Sequence, residues 1–243
     1  FKDIPLVETF GGYWPEYQLY TEQFIPGETL TAYLERNRDD ILNETKIDRW
    51  QMRWLHFIWN GIQAYQEFWN RTEFKLSIQP PSPSNLVIPQ HDYSTGTRLI
   101  SISGRKPIES IAAHFLSLYT EFIIQTEEKY VGLKHMSDWE VIFTATLQAV
   151  KMKQGTIILN QLKNDLAQSI NKKKFEILGC TIERIDQFLD DVEKFGVLTK
   201  PVVFASLRFE RWLELNPQAT LKARASILQE LYQDYELDLL MDE

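Results

Sequence analysis

The sequence predicts a mainly α-helical fold of the α+β class, with two short antiparallel β-hairpins in the N-terminal half. Three observations carry this prediction. Apolar residues recur with a 3.6-residue period along most of the later chain. Strand-type residues concentrate near residues 5 to 25 and 86 to 103. Apolar residues make up 44% of the 243, and 13% of the chain is aromatic, which indicates a packed globular protein.

The first hairpin is predicted from two runs rich in β-branched and aromatic residues, "LVETFGG" and "YQLYTEQFI", which flank the turn "GGYWPEY". Pro26-Gly27 breaks the second strand in this prediction. Thr29 then caps a helix that runs from Leu30 to about Asn37.

The strongest helical signal lies between Ile47 and Trp69. Its apolar face is so rich in aromatic residues that it predicts a buried helix rather than a cofactor-stacking surface. Gly61, inside this helix, costs about 1 kcal/mol relative to alanine and indicates close packing against a neighbour.

A proline-rich loop follows, in "LSIQPPSPSNLVIP" at residues 76 to 89. Prolines 80, 81 and 83 fix φ and remove backbone donors, which predicts a rigid entrance to the next strand. The second hairpin is predicted from Leu86 to Pro89 and from Arg98 to Ser103, across a polar turn.

The remaining chain predicts helices separated at Gly132, Gly155, Gly179 and Gly196, with the Lys172–Lys174 triplet in a solvated turn. Their predicted bounds are Pro107 to about Lys129, Asp138 to about Met152, Ile157 to Asn171, Ile182 to Phe195, Pro201 to Leu215 and Leu221 to Tyr235. We predict three parts: a hairpin region at 1–28, a helical core at 29–171 and a C-terminal helical subdomain at 172–243.

Composition limits the function. With 26 basic and 34 acidic residues, the net charge of −8 disfavours unaided nucleic-acid binding. The single cysteine, Cys180, excludes an internal disulfide and a multi-cysteine zinc site, and it fits a cytoplasmic protein. No apolar run approaches the roughly 20 residues of a membrane span. The histidines are widely separated and form no motif of a catalytic or metal site. The pairs Glu127-Glu128 and Asp190-Asp191 are interpreted as solvated helix faces rather than acid/base pairs. The sequence therefore predicts no catalytic residue and no metal site.

Three segments carry a resemblance to a known family: "TEQFIPGETLTAYL" at residues 21 to 34, "PSNLVI" at residues 83 to 88 and "RLISISGR" at residues 98 to 105. Over about residues 10 to 110 their order resembles that of the protein-kinase-like superfamily. The first segment is similar to the hinge between the lobes, with Gln23 and Gly27 at hinge-like positions. The second resembles the end of the catalytic loop, and the third resembles the strand that leads to the metal-binding D-F-G.

The departures from the family are chemically decisive. The resemblance places the catalytic aspartate at Pro80, which cannot accept a substrate proton. It places the metal-holding aspartate at Ser101 or Ser103, where a hydroxyl replaces a carboxylate. Asn85 alone is retained, and we favour a structural role for it, in bonding the loop backbone, over nucleotide or metal binding.

These features predict a pseudokinase-like, regulatory module that acts through contacts with a protein partner or with further domains of a longer chain, without a cofactor. The alternatives are a phosphotransferase that uses Mg-ATP, the helical domain of a larger enzyme, and a purely structural helical domain. The acidic, leucine-rich end "ELDLLMDE" predicts an interface that includes Leu237, Leu239, Leu240 and Met241.

Overall fold

The computed structural model describes residues 9–14, 19–22, 26–43, 47–89, 98–99, 105–107, 110–133, 139–150, 152–168 and 172–241. The first predicted antiparallel hairpin is confirmed, but its predicted turn at residues 11–17 is wrong in part, because residues 11–14 belong to the first strand. Strand β1 (Thr9–Trp14) pairs antiparallel with β2 (Leu19–Glu22), and the pairing joins Thr9 to Glu22 and Tyr13 to Tyr20.

A three-stranded antiparallel sheet contains the second predicted hairpin. Its order is β3 (Gly27–Thr29), β5 (Leu86–Pro89) and β6 (Arg98–Leu99). The pairing of β5 with β6 is confirmed, while residues 100 to 103 lie outside the described part of the chain. Pro26 lies outside the strands, as the predicted break requires. Gly27 begins a further strand that was not predicted, which pairs with a segment some sixty residues later in the chain.

A third small sheet was not predicted. Strand β4 (Leu76–Ile78) pairs antiparallel with β7 (Arg105–Pro107), and Leu76 lies opposite Pro107. The prediction that Pro107 starts a helix is therefore wrong. A proline is tolerated where a strand ends, since its missing donor costs little there. The helix instead starts at Ile111, where the Ser110 hydroxyl accepts a 3.0 Å hydrogen bond from the Ala113 amide.

The first helices follow the predicted pattern. Helix α1 (Leu30–Arg36) is capped by Thr29, whose hydroxyl accepts from the Ala32 amide at 3.2 Å. A single turn, α2 (Arg38–Ile41), leads to the long α3 (Ile47–Arg71). Of the predicted aromatic face of α3, Trp50, Trp54, Tyr65 and Trp69 are at most 2% exposed, whereas Phe57 is half-buried. Trp59, which was not assigned to that face, is also buried.

The next helix changes its hydrogen-bonding period along its length. It begins as α4 (Ile111–Ser117), continues as a π-helix at Leu118–Ile124 and ends as α5 (Gln125–Lys129). Phe122, in the π segment, lies against Gly61 of α3: a methyl group at Gly61 would come within 2.5 Å of the Phe122 ring. The predicted close packing at Gly61 is thus confirmed, and its neighbour is the π-helix.

Four further helices are α6 (Trp139–Ala149), α7 (Met152–Gln168), α8 (Lys172–Ile177) and α9 (Ile182–Phe195). The bounds of α9 are those predicted. Helix α7 starts five residues before the predicted Ile157 and contains Gly155, because burial of Ile158 and Leu159 outweighs the modest helical cost of a glycine. The predicted turn at Lys172–Lys174 is wrong, since these residues begin α8, which buries Phe175.

The chain divides into two compact units, at Phe1–Leu189 and Asp190–Glu243, within α9. The second unit holds the helical hairpin of α10 (Lys200–Leu215) and α11 (Leu221–Met241). Helix α11 extends six residues beyond the predicted Tyr235. The predicted division into 1–28, 29–171 and 172–243 stays a prediction.

Candidate functional site

The candidate site is the proline-rich loop at residues 79–85, which follows β4 and precedes β5. The loop closes on itself through Ser82, whose hydroxyl accepts from the Ser84 amide at 3.2 Å and whose carbonyl accepts from the Asn85 amide at 2.9 Å. These bonds form a single 3-10 turn at Pro83–Asn85. Because Pro83 occupies the first position of the turn, its fixed φ favours this conformation.

Tyr65 of helix α3 holds the loop through two hydrogen bonds to Ser82. Its hydroxyl accepts a hydrogen bond from the Ser82 amide at 2.8 Å and donates one to the Ser82 carbonyl at 2.9 Å. Burial raises the pKa of the Tyr65 phenol far above its ordinary value, although hydrogen bonds from Ser82 and Asn85 oppose this shift. The phenol therefore stays neutral and can serve as donor and acceptor at once.

Asn85 bonds the backbone of its own loop. Its side-chain amide donates to the Pro80 carbonyl at 3.2 Å, so the two ends of the turn are tied together. This contact is the structural role that the sequence favours for Asn85. The residue is half-buried, so part of its side chain still faces solvent. Binding of a nucleotide or a metal at Asn85 stays a prediction.

Pro80, where the resemblance places the catalytic base, is exposed at the loop surface. The side chains around it are hydroxyls and amides: Ser84 shares a 2.9 Å hydrogen bond with Thr31 of α1, and Gln79 precedes the proline. From Gln79 to Asn85 the loop contains no carboxylate and no lysine. Such a loop can form hydrogen bonds, but it offers no general base for phosphotransfer.

The sheet beside the loop joins the hinge-like and loop-like segments. Gly27 lies opposite Pro89 and Thr29 opposite Val87. A methyl group at Gly27 would lie 2.1 Å from the Ile88 carbonyl oxygen, so only glycine permits this approach of the two strands. On the other side of β5, Leu86 lies opposite Leu99. The hinge-like Gln23 and the serines Ser101 and Ser103 lie outside the described residues.

The predicted C-terminal interface lies far along the chain, in the second unit. The backbone around Leu237, Leu239, Leu240 and Met241 is helical and belongs to α11. Their side chains are outside what the structure describes. Whether they contact a partner stays a prediction.

His114 takes part in a chain of buried hydrogen bonds. His114 is buried, with its Nε2 atom 3.0 Å from the Gln66 amide oxygen, and Gln66 donates to the Thr146 hydroxyl at 2.8 Å. Burial lowers the pKa of His114 to about 3, so the imidazole is neutral at physiological pH. This chain of bonds links α4, α3 and α6 through the core.

The predicted solvent exposure of Glu127 is wrong. The residue was predicted to lie on a solvated helix face, but it is only 5% exposed and accepts a 3.0 Å hydrogen bond from the Trp54 indole. Sequence spacing could not reveal this, because the partner lies seventy-three residues earlier in the chain. Cys180 is also buried. Among the described residues, no group of three His, Cys, Asp or Glu side chains could hold a metal ion.

Two features that were not predicted hold the loop in place. One is the pairing of β4 with β7, which flanks the start of the loop. The other is the Tyr65 hydroxyl. A tyrosine on a strongly apolar helical face was the only available signal, since a buried phenol needs a polar partner.

No protein-family model matches this chain, and comparisons with curated proteins and with solved structures likewise find no match. Within the described part of the chain, no helix is both long enough and apolar enough to cross a membrane.

Proposed function

We propose that this chain is a kinase-like module without phosphotransfer activity that acts through protein–protein contacts. One observation carries the proposal. The hinge-like segment, the catalytic-loop-like segment and the strand that resembles the one before D-F-G supply β3, β5 and β6 of a single sheet. A resemblance that arose by chance would not require three segments spread over some seventy residues to be neighbours in space.

The chemistry of the loop supports the second half of the proposal. Pro80 stands where the family has its base, and proline has no group that accepts a proton. Pro80 is exposed at this position, so the loop presents a proline to solvent where the family presents a carboxylate. Asn85 is held to the Pro80 carbonyl, which gives it a structural use that does not involve magnesium.

Calorimetric titration of the whole chain with Mg-ATP tests the proposal. We expect no saturable heat that depends on magnesium, and no phosphate transfer to the chain or to a peptide. Asn85→Ala should leave this result unchanged, while it removes the bond to Pro80 and lowers stability by about 1 kcal/mol.

The matched control is Asn216→Ala in the second unit, since Asn216 also donates its side-chain amide to a backbone carbonyl, that of Trp212, at 2.9 Å. Magnesium-dependent ATP binding that Asn85→Ala abolishes and Asn216→Ala preserves would overturn the proposal. It would identify the loop as a nucleotide site.

A further inference from the structure

Helix α11 exposes an apolar stripe on the side that its own hairpin does not use. Leu221 is 84% exposed and Leu228 is 42% exposed, and Ala225 between them is also exposed. At about 100° per residue these three positions fall within a sector of about 60°. Leu231, which is buried, and the half-buried Ile227 lie well outside this sector, on another side of the helix.

The stripe has the spacing of a coiled-coil seam. The backbone of α11 is helical to Met241, and apolar residues recur at alternating intervals of four and three along its length. The positions are Leu221, Ala225, Leu228, Tyr232, Tyr235 and Leu239. A repeat of this kind places one residue of each pair at heptad position a and the other at d. It spans nearly the whole helix and includes Leu239 of the predicted interface.

The charges of α11 are divided between its two ends. Residues 221–229 contain Lys222 and Arg224 and no acid, whereas residues 230–243 contain six acids and no base. The heptad register places Lys222 and Glu236 at e positions, and Arg224 and Asp238 at g positions. Charges at these positions flank a seam and set the orientation of the partner helix.

An antiparallel second copy of the same helix satisfies these charges. With the dyad at residue 230, Leu221 lies level with position 239 of the other copy, Ala225 with 235 and Leu228 with 232. Lys222 then lies beside the other Glu236, and Arg224 beside the other Asp238. A parallel pair would instead bring the two acidic ends together, where like charges repel.

We propose that α11 is a self-association surface, at which two copies of this chain pair their α11 helices antiparallel about a two-fold axis. Such an interface is isologous, so each favourable charge pair occurs twice. The inference concerns the second unit alone and does not depend on the kinase-like segments. Detection of nucleotide binding would overturn the proposed function and would leave this inference unchanged.

Sedimentation of the 243-residue chain over a range of concentrations is the first test. We expect a monomer–dimer equilibrium. Leu228→Asp places a charge at the centre of the seam and should weaken the dimer at least about a hundredfold. Ile177→Asp is the matched control, because Ile177 of α8 is 75% exposed and lies outside the stripe. Far-ultraviolet circular dichroism should show unchanged helix content in both variants.

A charge exchange tests the orientation. Lys222→Glu and Glu236→Lys each turn both pairs of the homodimer from attractive to repulsive, so each variant should dimerise about tenfold more weakly. An equimolar mixture of the two variants restores opposite charges in both pairs. We therefore expect the mixture to form heterodimers with the affinity of the unaltered chain. Lys222 is chosen because Arg224 also bonds the Pro217 and Ala219 carbonyls.

A chain that stays monomeric at every concentration would overturn the proposal. A dimer that resists Leu228→Asp would also overturn it, since another surface would then hold the two copies. Dimerisation that Leu228→Asp abolishes, but that the charge exchange leaves unaltered, would contradict the antiparallel pairing.

Discussion

The two units of this protein bury their apolar residues to different degrees. In the first, the tryptophans Trp54, Trp59, Trp69 and Trp139 are almost completely inaccessible. In the described part of the second, the buried apolar residues are Val192, Val203, Phe204, Ala205 and Leu231. There Phe195, Leu215 and Leu221 are exposed by 67% or more. The large indole rings of the first unit are thus enclosed, whereas several large apolar side chains of the second unit are in contact with solvent.

Polar groups show the same difference. The first unit encloses the His114–Gln66–Thr146 chain and the Glu127–Trp54 bond, in which each buried polar group has a hydrogen-bond partner. In the second unit, the polar contacts that we describe lie at the surface, such as those of Asn216 and Arg224 around the turn. The described network of buried polar groups thus belongs to the first unit.

The largest expected effect is on the aromatic core. Trp54→Ala should lower the free energy of unfolding by about 3–5 kcal/mol, because it removes a buried indole and takes a donor from the buried Glu127. Trp212→Ala in α10 should cost far less, since Trp212 is only half-buried. Urea denaturation followed by circular dichroism measures both. Equal losses would remove the distinction between the two units.

Acid should act mainly through the first unit. The pKa of His114 is about 3 in the folded state, while its ordinary value is 6.5, so the unfolded chain binds a proton that the folded chain does not. As the pH falls from about 6.5 towards 3, stability should decrease by up to about 1.4 kcal/mol per pH unit from this group. His114→Gln should remove that slope from the pH profile of urea unfolding. His56→Gln, at an exposed position of α3, should retain it.

The anchor of the loop should have a smaller effect. Tyr65→Phe removes both bonds to Ser82 and leaves its part-buried amide and carbonyl without this partner, at a cost of about 1–3 kcal/mol. Hydrogen exchange at the Ser82 amide should also accelerate. Tyr33→Phe is the control, because the Tyr33 hydroxyl accepts one long bond of 3.3 Å from Arg53. No change at Ser82 would show that the prolines alone fix the loop.

The smallest effect is expected on the exposed stripe. At a concentration where chains do not associate, Leu221→Ser should change the free energy of unfolding by no more than about 0.5 kcal/mol, because the side chain is already in solvent. Denaturation at low and high protein concentration would separate folding from association. A loss above about 1 kcal/mol in the monomer would mean that the stripe packs within its own chain.

The candidate site could be predicted in part. Prolines 80, 81 and 83 predict a rigid loop. The side-chain amide of Asn85 donates to the Pro80 carbonyl of that loop, which is a contact that its residue type favours. The sequence pattern identifies Gly27 only as part of a strand break and of a hinge-like motif. Its actual requirement, close approach to the Ile88 carbonyl, needs a strand pairing that no local pattern encodes. The anchoring role of Tyr65 was missed because its partner is a backbone group seventeen residues away.

The sequence by itself determined the elements that local periodicity and capping encode, such as the buried face of α3, the Thr29 cap of α1 and the bounds of α9. These depend on contacts within a few residues, so spacing and residue type suffice. Only the tertiary structure decided that Pro107 ends a strand, that Glu127 is buried beneath Trp54 and that three distant segments share a sheet. The energies there come from pairing and burial between residues far apart in the chain, which outweigh local preference.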